Sequence, residues 1–234
     1  VSGFRPEQYE YNFRIDTKIC QDPYARGLAG RETFGRVSED KDEHRIRCSF
    51  PNLREYNWEG DVSPGISYQD MILYKVHVRG YTRQAKVAPK KRGTFAGLKE
   101  MIPYWKELGI NAVELMPAYE FMERSIVEPG KAMIRQKHHK DKVNYWGYLP
   151  GFYFAPKSAY CATKKPHKEF CDMVRAFHEA GIECIMEMYF PADTAPMKAL
   201  YALWFWKKYY HVDGFHLLGD GVPGELIERD PFLY

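Results

Sequence analysis

Cysteine is scarce in this 234-residue chain, and its five cysteines form no C-x-x-C pair. An odd number without paired spacing argues against a disulfide framework and against a zinc site. We therefore expect buried, reduced thiols, no bound metal and no cofactor. The cysteines are Cys20, Cys48, Cys161, Cys171 and Cys184.

Long apolar runs are absent as well. No run approaches the roughly 18 residues of a membrane-spanning helix, and no signal-peptide pattern follows Val1. The sequence thus predicts no membrane contact, and the missing signal fits a cytoplasmic protein. Because the chain begins with Val1 and not with methionine, we expect a processed protein or a piece of a longer one.

The chain also lacks a strong excess of charge, since its formal net charge is +3. One segment, Lys131 to Lys142, is basic and carries the adjacent residues His138 and His139. Such a segment could bind a metal or a nucleic acid. Adjacent histidines on a loop lack a third ligand at a useful spacing. We expect a solvated loop and no nucleic-acid partner.

A regular alternation of apolar strands and helices begins near Met71. One helix is expected to start near Thr94 and to end at Gly109, and another is expected to cover Met197 to Tyr210. A helix from about Lys168 to Gly181 is expected to place Phe170, Val174 and Phe177 on one apolar face. The strands are expected at residues 72–78, 112–116, 183–189 and 212–218. This order predicts a parallel sheet with right-handed crossovers, either in a doubly wound fold or in half of a (β/α)8 barrel.

Five segments, in order along the chain, carry a family resemblance. They are Asp22-Pro23-Tyr24-Ala25-Arg26; Tyr74 to Thr82; Gly93-Thr94-Phe95 with Leu108 to Pro117; Asn144-Tyr145-Trp146-Gly147-Tyr148 with Tyr153 to Pro156; and Val212-Asp213-Gly214-Phe215. Together they resemble the α-amylase clan of glycoside hydrolases, especially its pullulanase, isoamylase and glycogen-debranching branch. The resemblance implies an α/β fold in which residues 67–234 form the first four β/α units of a (β/α)8 TIM barrel. Residues 1–66, where Tyr9 to Ile15 alternates like a short strand, would be an irregular N-terminal extension.

The fourth strand departs from the catalytic pattern of the family. Members end this strand with a nucleophilic aspartate in Gly-Phe-Arg-Phe-Asp, where this chain has Gly214-Phe215-His216-Leu217-Leu218. His216 takes the arginine position and Leu218 takes the nucleophile position, and leucine has no lone pair with which to attack a sugar. The candidate substitute, Asp220, would lie about 6–7 Å further along the strand. We therefore expect no catalytic residue in this chain.

The third strand departs from the pattern as well. Its acidic position, an aspartate in the family, is Glu187, while the family's asparagine and histidine are replaced by Pro191 and Ala192. Glu187 could pair with His216 on the neighbouring strand. Alternatively, it could be a buried glutamate satisfied by backbone donors.

An aromatic surface that stacks on sugar rings is the family feature that this chain could retain. Tyr148 takes the position at which the family stacks a ring on glucose, and Trp146 precedes it. Both rings could instead pack their loop against the protein. The substrate-binding candidates that the resemblance implies are Asn144, Trp146, Tyr148, Glu187 and His216.

Three functions fit these residues. The first is a protein of starch or glycogen metabolism that has lost catalysis and keeps a carbohydrate-binding or scaffold role. The second is an active α-glucan hydrolase or debranching enzyme, completed by a missing C-terminal half or a partner chain. The third is a half-barrel protein-interaction module. Because the family's general acid lies on a fifth strand, which this chain does not reach, we expect no hydrolysis by the chain alone.

Four β/α units would leave two strand edges open, which is an aggregation hazard. We therefore expect a second copy of the chain or a C-terminal half-barrel to cover them, with an α-glucan as the carbohydrate ligand. Without a cover, apolar strand residues such as Val113, Leu115, Phe215 and Leu217 would face water.

Overall fold

The computed structural model describes residues 5–35, 46–123 and 143–233, so the basic segment 131–142 lies outside the described residues. The strands in these ranges are β1 (Glu10–Tyr11), β2 (Phe13–Ile15), β3 (Lys18–Cys20), β4 (Gly27–Ala29), β5 (Arg47–Ser49), β6 (Leu73–Val76), β7 (Ala112–Leu115), β8 (Tyr119–Phe121), β9 (Gly151–Pro156), β10 (Glu183–Tyr189) and β11 (Gly214–Leu218). The α-helices are α1 (Val78–Tyr81), α2 (Phe95–Lys99), α3 (Ile102–Glu107), α4 (Pro166–Glu179), α5 (Pro196–Tyr210) and α6 (Gly224–Glu228).

A four-stranded parallel sheet forms the centre of the fold. The strands β6, β7, β10 and β11 lie side by side in sequence order, and each adjacent pair is parallel. Every residue of β7 is buried, as expected for an inner strand covered on both faces. The four predicted strands and their parallel pairing are therefore confirmed. In the described part of the chain β6 and β11 each have one hydrogen-bonded neighbour, so they form the edges of this sheet.

The helical segment after β6 begins where the sequence predicts. Thr94 Oγ1 accepts a hydrogen bond of 3.2 Å from Gly97 N and so caps α2. The single helix expected up to Gly109 is wrong, because α2 ends at Lys99 and α3 begins at Ile102. Pro103 lies in the first turn of α3. It has no N–H group for a bond to the preceding turn, which explains the break.

The two longer helices bury apolar side chains, with α4 packed against β10 and α5 packed against β9. In α4 the predicted apolar face is confirmed, since Phe170, Val174 and Phe177 are fully buried. The aromatic helix α5 buries Trp206, whose Nε1 donates a 2.6 Å hydrogen bond to the carbonyl oxygen of Tyr153. This bond satisfies the polar edge of an otherwise apolar ring.

The first part of the chain is more regular than predicted. The strand expected from Tyr9 to Ile15 is two strands, because β1 pairs with β5 while β2 forms a hairpin with β3. A third antiparallel pair joins β4 to β5. Ser158 Oγ also donates a 3.1 Å hydrogen bond to the Leu28 carbonyl oxygen, which ties β4 to the later part of the chain. A domain boundary near residue 66 stays a prediction.

A buried group of four charges anchors the N-terminal region. Lys157 Nζ lies 3.0 Å from Glu120 Oε1 and 2.6 Å from Glu123 Oε1, and Arg31 Nη2 lies 2.5 Å from Glu123 Oε2. All four side chains are buried. Two cations and two anions thus neutralise one another at a buried position, where water cannot solvate them.

A second polar group lies at the N-terminal end of the sheet. His178 Nδ1 is 3.0 Å from Asp61 Oδ1, and His178 Nε2 is 2.9 Å from Asp213 Oδ2. His211 Nδ1 reaches the other oxygen of Asp61 at 2.6 Å. His178 therefore joins the segment before β6 to the residue that precedes β11.

The apolar residues expected to face water are only partly exposed. Val113 and Leu115 are fully buried, whereas Phe215 and Leu217 on the edge strand β11 are half-buried. The expectation was wrong for β7, because this strand lies between β6 and β10 and all four of its residues are buried. Among the described residues, no helix combines the length and apolar character that a bilayer crossing requires.

Candidate functional site

The central sheet brings four charged or titratable side chains together, one from each strand. They are Lys75 on β6, Glu114 on β7, Glu187 on β10 and His216 on β11. Lys75 stands opposite Glu114 in the strand register, and Glu187 stands opposite His216. We call these four residues the strand cluster.

The two carboxylates of the strand cluster face the same two basic groups. His216 Nδ1 lies 3.0 Å from Glu114 Oε1 and 3.4 Å from Glu187 Oε1. Lys75 Nζ lies 3.4 Å from Glu114 Oε1 and forms an ion pair with Glu187 Oε1. Glu187 and His216 therefore do pair, as one of the two interpretations of Glu187 predicts, but they do so together with Glu114 and Lys75.

The balance between burial and neighbouring groups gives the two glutamates opposite pKa shifts. Glu187 is fully buried, and burial raises its pKa above the ordinary value, against the lowering effects of its hydrogen bonds with Lys75 and Tyr148. Burial would also raise the pKa of Glu114. Hydrogen bonds with His216 and Glu187 and the charges of His216 and Lys75 bring the pKa of Glu114 below the ordinary value instead. Glu114 is therefore the more firmly ionised of the two.

Tyr148 closes the strand cluster from the loop before β9. Its hydroxyl donates a 2.7 Å hydrogen bond to Glu187 Oε2, the oxygen that does not face Lys75. Burial, followed by this bond to Glu187, raises the pKa of Tyr148 to about 12. The hydroxyl therefore stays protonated and acts as a donor at neutral pH.

The other two substrate-binding candidates lie on the same loop but outside the strand cluster. Asn144 Oδ1 accepts a 3.3 Å hydrogen bond from Gly147 N and so shapes the turn. Trp146 is 54% exposed, with its ring edge-on to His77 at 5.7 Å between centroids. Of the five candidates, the structure brings together Tyr148, Glu187 and His216.

His77 holds this loop against the end of β6. Its Nδ1 accepts a 3.0 Å hydrogen bond from Gly80 N, and its Nε2 donates to the Tyr145 carbonyl oxygen at 2.8 Å. Burial lowers the pKa of His77, which keeps the ring neutral in this role. The ring also stacks on Tyr145, with 4.1 Å between centroids. The exposed position of Trp146 follows from this anchor.

Leu218 is the last residue of β11, and the strand does not continue to Asp220. Phe190 N donates a 2.8 Å hydrogen bond to the Leu218 carbonyl oxygen, which completes the pairing with the end of β10. Gly219 then turns the chain with a φ of 93°, and Asp220 lies exposed in the turn that follows. A Cβ atom at Gly219 would lie 2.2 Å from the Phe190 carbonyl oxygen, so the turn requires glycine.

Lys75 and Glu114 were not among the candidates from the sequence. The available signal was a charged residue in the middle of an apolar strand, Leu73–Val76 for Lys75 and Ala112–Leu115 for Glu114. Such a charge is rarely buried without a partner. The sequence shows each charge, but only the strand register shows that the two are partners.

No protein-family model matches the chain. The chain is 32% identical over 193 residues to isoamylase 1 of Arabidopsis thaliana chloroplasts, covering 79% of this chain and 24% of that protein. It is 35% identical over 199 residues to the glycogen operon protein GlgX homologue of Haemophilus influenzae, covering 77% of this chain and 29% of the relative. The chain thus spans about a quarter of the length of these curated relatives.

Solved structures agree on the fold. The catalytic module of the pneumococcal glycogen-degrading virulence factor SpuA superposes with a TM-score of 0.66 at 20% identity, over 89% of this chain and 36% of that one. Pullulanase SAP of group B Streptococcus, in a complex with maltotetraose, gives 0.65 at 20% identity, over 92% and 34% of the two chains. With the isoamylase and GlgX relatives, these likenesses show that the chain belongs to the debranching branch of the α-amylase clan.

Proposed function

We propose that the chain forms the first four units of a (β/α)8 barrel in a protein of α-glucan metabolism, and that it binds α-glucan without hydrolysing it. The observation that carries the loss of hydrolysis is Leu218 at the end of β11. In the family that the chain resembles, a nucleophilic aspartate is expected at this position. An aliphatic side chain there cannot form a glycosyl–enzyme intermediate.

Glu114 and Glu187 do not replace the missing carboxylates in this proposal. A retaining glycosidase places the sugar between two carboxyl groups about 5 Å apart. Here the Oε1 atoms of both glutamates face the same nitrogen of His216, at 3.0 Å and 3.4 Å. These carboxylates are aimed at the same imidazole nitrogen and leave no room for a pyranose ring between them.

The loop with Trp146 and Tyr148 supports the carbohydrate-binding role. The Trp146 ring is 54% exposed and is held in place through the His77 anchor of the neighbouring residue Tyr145. Aromatic rings that are apolar on their faces and polar at an edge suit stacking on sugars. Because the related streptococcal pullulanase is known in a complex with maltotetraose, we propose a linear malto-oligosaccharide as the ligand.

Isothermal titration of the chain with maltotetraose and maltoheptaose tests the binding. Trp146→Ala and Tyr148→Ala should each weaken binding several-fold, whereas Tyr148→Phe keeps the ring and should bind nearly as well as the wild type. Tyr68→Ala is the matched control, because Tyr68 is 92% exposed and lies outside the loop. Absence of saturable binding, or equal binding by the wild type and the Trp146→Ala/Tyr148→Ala double variant, would refute the glucan-binding role.

The two sheet edges support a further part of the proposal, that a C-terminal half-barrel covers them. Ile72 and Leu73 are exposed at β6, and Phe215 and Leu217 are half-buried on β11. An open parallel edge with apolar side chains favours association. Light scattering on the isolated chain should show self-association; a monomer with cooperative unfolding would contradict the need for a cover.

Location in the cytoplasm stays a prediction.

A further inference from the structure

Three atoms of the kind that bind transition metals converge in the strand cluster. They are one carboxylate oxygen each from Glu114 and Glu187 and a ring nitrogen of His216, all within 4.8 Å of one another. The residues come from the adjacent strands β7, β10 and β11, whose hydrogen bonding fixes their spacing. One imidazole with carboxylates is a donor set suited to zinc and similar ions.

The donor spacing fits a bound ion. In a tetrahedral site with bonds of about 2.0–2.2 Å, two ligand atoms lie about 3.3–3.6 Å apart. His216 Nδ1 lies 3.0 Å from the Glu114 oxygen and 3.4 Å from the Glu187 oxygen. A movement of about 0.3 Å would bring the shorter of these two distances into the tetrahedral range, and all three donor atoms lie within 4.8 Å of one another.

A separate observation is that a cation already occupies the position between the carboxylates. Lys75 Nζ contacts the same Oε1 atoms of Glu114 and Glu187 that face His216. The two carboxylates are buried, whereas Lys75 is 43% exposed and His216 is 49% exposed. The anions are therefore held in place, while the ammonium group sits on a flexible stem that reaches solvent.

We propose that Glu114, Glu187 and His216 bind a zinc-type divalent cation, and that the ion enters when the Lys75 ammonium group turns out to solvent. Three protein ligands leave a fourth position for water or a ligand hydroxyl, as in zinc sites that are not purely structural. The site went unpredicted because its ligands come from three separate strands and form no spacing motif. It does not depend on the proposed glucan binding.

Thermal unfolding of the chain with and without Zn²⁺ tests the site. An ion that binds the folded state better than the unfolded state raises the Tm, whereas binding to unfolded thiols and imidazoles does not. We expect Zn²⁺ to raise the Tm and Mg²⁺, which needs about six oxygen ligands, to leave it unchanged. Isothermal titration then gives the affinity at a temperature where the chain is folded.

Three variants make the test specific. His216→Ala should lower the Zn²⁺ affinity by about tenfold or more, while the matched control His211→Ala, at the other end of the sheet beside Asp61, should leave it unchanged. Lys75→Met should tighten Zn²⁺ binding several-fold, because it removes the competing ammonium group. A gain in affinity of this kind cannot arise from misfolding.

The outcomes separate clearly. Loss of the Zn²⁺ effect in His216→Ala together with a gain in Lys75→Met supports the site. Equal stabilisation of the wild type and His216→Ala, or no Zn²⁺ effect in either the wild type or Lys75→Met, overturns it. If His216→Ala does not fold, Glu114→Gln replaces it, with loss of the Zn²⁺ effect as the supporting result and retention as the contrary one.

Discussion

Glu187 and His216 lie opposite each other in the register of β10 and β11, and His216 Nδ1 is 3.4 Å from Glu187 Oε1. Glu187 is completely buried, whereas half of the His216 side chain is in contact with solvent. The basic groups that face the buried Glu187 carboxylate, Lys75 and His216, are thus themselves partly exposed to solvent. Because Lys75 and Tyr148 also contact Glu187, no single partner determines its position.

The first prediction is that the chain has no hydrolytic activity. The purified chain should release no reducing sugar from starch, pullulan or glycogen above the buffer level, because Leu218 cannot act as a nucleophile. Leu218→Asp alone should not restore activity, since a general acid is still required. Turnover by the wild-type chain that Asp220→Ala abolishes would contradict this prediction and identify a displaced nucleophile in the turn after β11.

The second prediction concerns the buried charge group around Lys157. Lys157→Met should reduce the free energy of unfolding by about 3–5 kcal/mol, because it leaves two buried carboxylates with Arg31 as their remaining cation. Lys168→Met is the matched control. Its exposed ion pair with Asp172, one helical turn away at 2.7 Å, should contribute about 0.3–0.5 kcal/mol. Urea unfolding of the two variants gives the comparison, and equal losses would show that burial does not strengthen the Lys157 pairs.

The sheet was predictable from the sequence because apolar strand runs such as Ala112–Leu115 and Glu183–Tyr189 have a short, local signature. The pairing of Glu187 with His216 could be anticipated because the resemblance places both on neighbouring strands. Lys75 and Glu114 escaped detection, since their partnership depends on a strand register that no local pattern encodes. The break at Pro103 was missed although proline is a clear local signal.

The third prediction is that the free energy of unfolding falls as the pH rises, because His178 loses its proton. Burial would lower the pKa of His178, but hydrogen bonds and charges from Asp213 and Asp61 outweigh it and raise the pKa. The folded state therefore holds the proton more tightly than the unfolded state, whose pKa is about 6.5. This stabilisation is complete below that value and is lost as the pH rises through the folded pKa.

Urea unfolding at a series of pH values from about 6 to 9, on either side of the His178 transition, tests this linkage. His178→Gln should be less stable than the wild type by a margin that shrinks as the pH rises. A margin that does not change with pH would show that His178 binds its proton equally in the folded and unfolded states, and would contradict the prediction.

The fourth prediction has the opposite sign and concerns His167. Burial lowers the pKa of His167 to about 4. Between that value and the unfolded value of about 6.5, the unfolded state binds the proton and the folded state does not. The stability of the wild type relative to His167→Gln should therefore fall as the pH drops from about 7 to 4. Thermal unfolding in acetate and phosphate buffers measures it, and a constant difference over this range would contradict the prediction.

The order of the central sheet has a consequence for synthesis. Each strand of this sheet, from β6 to β7, β10 and β11, pairs with the strand of the same sheet that comes next along the chain. A nascent polypeptide can therefore lay down this sheet in the direction of translation, because no strand waits for a distant C-terminal partner before it gains a neighbour. At every stage the most recently translated strand is one open edge of the sheet, and β6 is the other. Pausing of the ribosome just after β10 would prolong the exposure of its apolar residues, and it is there that a chaperone would be needed most.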